Sequence, residues 1–194
     1  MDFCDSAVVL LVCGEQANRK ERVNMQGSSW FYFVDSSFGG SSTAQIVNTS
    51  PGYTPSLRAG RLFGNMTLSV PYGPMWLGLA TLDCLMAVDA AQVTNLMFAI
   101  NYTLPAVPNI TAELYVIADN SDSFNLNLDG SITPGVWSEE DFSLGGFTPG
   151  GGNVFGATNL ETSLVQLEFG YIAFDSVPGA NDSYEILVDD IRFY

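Results

Sequence analysis

Histidine is absent from all 194 residues. That removes Ser-His and Cys-His catalytic pairs, imidazole zinc sites and a histidine proton switch. Basic residues are scarce as well: 6 Lys plus Arg stand against 21 Asp plus Glu, a net charge of -15. A surface so acidic lacks the basic footprint that nucleic-acid phosphates or an anionic membrane surface require. No apolar run approaches the ~18 residues of a membrane-spanning helix. Only 14% of residues are charged while 47% are apolar, so the chain has material for one domain with a substantial core.

Cysteine is sparse too. Cys4, Cys13 and Cys84 form no CxxC pair, which speaks against zinc or redox chemistry. Buried free thiols, a Cys13–Cys84 bridge and a bond between chains all stay open. What is abundant is the N-x-Ser/Thr pattern, at Asn48, Asn65, Asn101, Asn109 and Asn181. Five matches point to N-glycosylation and hence to an extracellular or cell-surface protein. The start Met-Asp-Phe-Cys-Asp lacks the positive segment of a secretory leader.

Beyond residue 24 the chain alternates β-branched and aromatic runs with Gly, Pro, Asn and Ser, without helical periodicity or internal repeats. Strands are predicted at 30–34, 44–48, 65–70, 95–104, 110–118, 164–174 and 184–194. In the fourth, Leu96, Phe98, Ile100 and Tyr102 share one face. Helical turns are expected only near 83–93, and the glycine-rich 145–152 stretch reads as a flexible loop. The fold class is therefore all-β: an antiparallel β-sandwich, jelly-roll or Ig-like, with an N-terminal extension strand.

Three short segments carry a resemblance. Leu187-Val-Asp-Asp-Ile-Arg-Phe193 resembles the closing strand of galactose-binding-like jelly rolls, including carbohydrate-binding modules, which often end in Val-Asp-Asp-Ile-x-Phe. Gly27-Ser-Ser-Trp30 followed by Tyr32 and Asp35 is similar to the opening of some such modules. Val136-Trp137 ahead of Asp141-Phe142 is a third, looser likeness. The resemblance implies a jelly roll, glycans as partners, and Asp189 or Asp190 as candidate ligands of a structural calcium. An acid facing a sheet edge is the competing explanation of either aspartate.

Sugar stacking would use Trp30, Trp76 or Trp137, with Tyr53 and Tyr72 as further platforms, although a sandwich also needs aromatics in its core. Asn125-Leu-Asn-Leu-Asp-Gly130 resembles half of an EF-type loop, but Val136 stands where the bidentate glutamate belongs. It reads instead as a polar hairpin. Glu139, Glu140 and Asp141 are the only acids nominated for glycoside hydrolysis, and adjacent acids usually form a solvated turn, so no enzyme is expected.

Residues 1–24 are set apart from a 25–194 body. Ala7, Val8, Val9, Leu10, Leu11, Val12 and Cys13 are apolar on both faces, as in a strand buried from both sides, and residues 15–24 hold half of the basic residues. One reading makes this the sandwich's own first strand. The other makes it a donor strand that fills a neighbouring subunit, as in the donor-strand pilins it looks like. Head-to-tail donation builds filaments. The leading expectation is a structural subunit of an extracellular fibril that polymerises with copies of itself. The runner-up is a non-catalytic carbohydrate-binding jelly-roll module.

Overall fold

The computed structural model describes residues 30–32, 34–35, 40–53, 59–67, 78–89, 93–103, 110–118, 123–128, 132–149, 163–173 and 181–194. The expected donor strand at residues 7–13 and the boundary after residue 24 lie outside them. Eleven strands follow in chain order: β1 (Trp30–Phe31), β2 (Thr43–Thr49), β3 (Ala59–Thr67), β4 (Gly78–Asp89), β5 (Asn95–Thr103), β6 (Ile110–Ala118), β7 (Ser123–Asn127), β8 (Ser138–Ser143), β9 (Thr148–Pro149), β10 (Ser163–Ala173) and β11 (Asn181–Phe193). They form two antiparallel sheets, one ordered β1-β4-β10-β6-β7-β9 and the other β2-β3-β11-β5-β8.

The sheets enclose the core between them. Alternation sends Leu62 and Met66 of β3, Leu96, Phe98, Ile100 and Tyr102 of β5, and Tyr184, Ile186 and Val188 of β11 inward, all buried. Phe98 of the five-stranded sheet meets Phe169 of the six-stranded sheet edge-on at 5.1 Å and stacks on Phe142 at 5.7 Å. Such aromatic pairs add about 0.5–1.5 kcal/mol each beyond their buried area. In β11 the alternation breaks after Val188 and resumes at Ile191 and Phe193. A bulge absorbs the extra residue, with Asp190 in the left-handed region at φ 49°.

Two hydrogen-bonded devices fix the loops. Asp35 is buried and accepts the Ser42 N–H at 3.0 Å and the Ser42 hydroxyl at 2.8 Å. The Tyr184 hydroxyl donates to the Thr43 carbonyl at 2.8 Å, passing so close to Gly64 that a side chain there has no room.

Three expectations are corrected. In place of helical turns near 83–93, residues 78–89 form β4, paired over most of its length with β10. Its Leu, Ala and Met content favours a helix locally, and cross-strand pairing overrides that weak preference. The acids 139–141 are not a turn but the middle of β8, an edge strand. Charge on an edge discourages pairing with foreign strands. The 145–152 stretch begins not as a loop but as a 3-10 turn, Leu144–Gly146, and the edge strand β9, with Leu144 and Phe147 buried.

Candidate functional site

Because Phe169 faces the core, Glu168 and Gly170 lie on the opposite, outward face of the six-stranded sheet. The register places Glu168 opposite Asp83 of β4 on one side and Tyr115 of β6 on the other. Phe31 pairs with Asp83, Asn125 with Tyr115, and Thr148 with Asn125. One outward row of register positions therefore runs Phe31, Asp83, Glu168, Tyr115, Asn125, Thr148 across six strands, roughly 24 Å at about 4.8 Å per strand. The next row holds Thr81, Gly170, Glu113 and Asn127, and the row on the other side Leu85, Gln166, Ile117 and Ser123.

Two acids, Asp83 and Glu168, occupy directly opposite register positions on neighbouring strands. Glu168 is only 8% exposed although it faces away from the core. Burial pushes its carboxyl up to about 7, because desolvation penalises the charged form. Gly170, in the same central strand, carries no side chain and is buried, a feature that often marks close approach by a ligand or another backbone segment. At the far edge the Thr148 hydroxyl donates to Asn125 Oδ1 at 3.0 Å and orients that amide. At the centre of this outward face Glu168 and Gly170 are both buried, and at its edge Asn125 presents an oriented amide.

The residues nominated from sequence are dispersed. Trp30 pairs with Cys84, which pairs with the buried Leu167, so its register position is on the core-facing side. Trp76 and Tyr72 lie outside the described residues. Trp137, just before β8, is half-buried and its ring meets that of Tyr53, in the loop after β2, at 5.8 Å. Glu139 is exposed on β8, Glu140 accepts from the Ser138 hydroxyl, and Asp141 accepts from Asn95 Nδ2 at 2.8 Å and from the Tyr194 hydroxyl. Those two donors hold the Asp141 carboxyl below its ordinary range, which suits an acceptor and not a general acid. Asn125 and Asn127 are extended on β7 and do not curl into a cation-binding loop.

Asp189 and Asp190 differ sharply. Asp190 sits at the bulge, bound to the Arg192 guanidinium. Asp189 is fully buried on the outward side of β11, and its Oδ2 accepts the Tyr53 N–H at 2.7 Å. Were a structural calcium bound here, Asp189 and not the Arg192-paired Asp190 would be the carboxylate placed to contact it. Among the described residues no group of three or more acidic, thiol or imidazole side chains could hold a metal. The remaining ligands would have to be carbonyl oxygens or water, both common around calcium. Such an ion would offset the Asp189 charge and fasten the 50–53 loop to the sheet.

Nothing along the chain signals the Asp83–Glu168 pair. The two residues are far apart in sequence, and only strand register joins them.

No family model matches the chain, and no curated protein matches it. Solved structures do. The chain is similar to the family 11 carbohydrate-binding module of the cellulosomal cellulase Lic26A-Cel5E of Clostridium thermocellum, with a TM-score of 0.56 and 13% identity over 93% of each chain. It is equally similar to a family 11 module from the same organism in complex with a β-1,3-1,4-mixed-linked tetrasaccharide, with a TM-score of 0.56 and 13% identity over 84% of this chain and 87% of that one. At such identity the likeness is one of fold, and the fold is a jelly-roll β-sandwich.

Proposed function

We propose that the chain is a non-catalytic glycan-binding module of an extracellular protein, with its ligand laid across the outward face of the six-stranded sheet. The observation that carries this reading is Glu168: a carboxyl buried on a face turned away from the core, opposite a second acid and beside Gly170. Keeping a carboxyl buried on an outward face costs stability, and hydrogen bonds to ligand hydroxyls supply a reason for it. The fold likeness supports glycan binding over a fibril subunit, whose donor strand at residues 7–13 lies outside the described residues. The tetrasaccharide held by the second family 11 module makes mixed-linkage β-1,3-1,4-glucan the first ligand to try.

Affinity electrophoresis in gels containing that glucan, followed by a glycan array of neutral plant, algal and microbial polysaccharides, tests the proposal. Retardation or array binding that falls at least tenfold in Glu168→Gln or Asp83→Asn, with both variants still folded by calorimetry, is the expected result. No binding to any neutral glycan by the folded wild-type chain overturns it.

A further inference from the structure

The glycosylation motifs are not absorbed by that function, and their placement is uneven. Asn48, Asn65, Asn101 and Asn181 all fall on strands of the five-stranded sheet, on β2, β3, β5 and β11. Asn109 lies outside the described residues. Asn101 is half-buried in β5, between β11 and β8, whereas Asn65 and Asn48 are exposed. Asn65 differs from the other four in one respect: it alone has an aromatic residue two positions before it, Phe63. On an extended strand, residues two apart share a face. Phe63, Asn65 and Thr67 therefore line up along the outward side of β3. Beside them is a cleft of about 260 Å³ lined by Arg61, Phe63, Gly64, Thr103, Ser183, Tyr184 and Glu185. Ser183 is the register partner of Asn65 across to β11, and Gly64 is its chain neighbour. The Arg61 guanidinium, paired with Glu185, lies 4.3 Å from the centre of the Phe63 ring and holds it in place.

We propose that Asn65 is an N-glycosylation site whose first sugar docks on Phe63 at the mouth of this cleft. The donor is a polyprenyl-diphosphate-linked oligosaccharide. Asn65 Nδ2 forms the bond to the sugar's anomeric carbon, the bond from that carbon to the diphosphate oxygen breaks, and the polyprenyl diphosphate leaves. The amide proton passes to a base of the transferase. The sugar's C–H face then covers the face of the Phe63 ring opposite Arg61, while Thr103 and Ser183 stand at its polar rim. The modification sits on the five-stranded sheet and Glu168 on the other one, so it stands independently of what the Glu168 face binds.

The full chain, secreted from a eukaryotic cell behind a cleavable leader, gives the test. Glycopeptide mass spectrometry is expected to find Asn65 occupied in most molecules. Trimming the native protein to a single sugar with an endoglycosidase leaves Tm unchanged, whereas Thr67→Ala, which abolishes the motif, lowers it by about 2–4 °C. The same Thr67→Ala change made in a Phe63→Val background lowers it by less than about 1 °C, a difference of the size set by one docked sugar. Should Thr67→Ala fail to be secreted, complete enzymatic deglycosylation of the native protein replaces it in both backgrounds. An unmodified Asn65 in the secreted folded chain overturns the proposal. So does an equal Tm loss with and without Phe63.

Discussion

Glu168 of β10 stands directly opposite Asp83 of β4, two acids paired in register on a sheet face turned away from the core. Glu168 is pushed up to about 7 by burial, while an unfolded glutamate titrates near 4.3. Between those values the folded chain holds the extra proton, so stability falls as pH rises through that window and is unaffected below it. Calorimetry at pH 5 and pH 8 should show the wild-type Tm dropping at the higher pH. Glu168→Gln should lose most of that drop and melt above the wild type at pH 8, by a margin of at most a few kcal/mol. Asp35, raised by burial as well, keeps its own contribution in both proteins, so the difference between them isolates Glu168.

Trp137 supplies the contrasting case. Its ring packs against Tyr53, the two lying in loops that flank strands of the five-stranded sheet, away from the acidic row. Trp137→Ala is expected to cost about 1–3 kcal/mol of stability through lost packing. Glycan affinity measured by isothermal titration should stay within about twofold of wild type, well inside 1 kcal/mol.

Asp189 and Asp190 are neighbours with opposite expectations. Calcium at millimolar concentration should raise the wild-type Tm above that measured in chelator, since a ligand bound only by the folded state stabilises it. Asp190→Asn, which alters the partner of Arg192, should keep that response. Asp189→Asn should abolish it while still accepting the Tyr53 N–H. A calcium response that survives Asp189→Asn would remove the assignment.

Glycine positions separate crowding from open space. A Cβ at Gly64 would stand 1.9 Å from the Thr43 carbonyl oxygen and 2.9 Å from the Tyr184 hydroxyl. Gly64→Ala must therefore spread β2 from β3 or break the Tyr184–Thr43 hydrogen bond, at about 2–4 kcal/mol. A Cβ at Gly146 would meet nothing within 4 Å, so alanine there should be accepted within about 0.5 kcal/mol. Urea denaturation of the pair gives both values.

Much of the architecture is legible along the chain. The closing strand predicted at 184–194 falls within β11, to which the structure adds a bulge at Asp190. Strand β6 falls at 110–118, where β-branched and aromatic residues predict it. By contrast β4 is hidden from a sequence reading, because its local composition favours a helix and only its neighbour β10 makes it a strand. The acids of β8 are hidden for a related reason: an edge strand needs no apolar outer face, so its sequence looks like a solvated turn.

Composition and periodicity alone determined an acidic, histidine-free, all-β chain whose apolar residues alternate to fill a sandwich. They also set Asn65 and Thr67 on one face of a strand, since period-2 spacing is a local property of an extended backbone, while the structure carries that strand back to Ala59 and so adds Phe63. Tertiary structure decided which distant residues became neighbours. It brought Asp83 into register with Glu168, put Trp30 at a core-facing position, and buried Asp189 beneath the Tyr53 loop. Strand register is set by pairing between segments remote in sequence, and a shift of one residue would move every one of these positions to the other face.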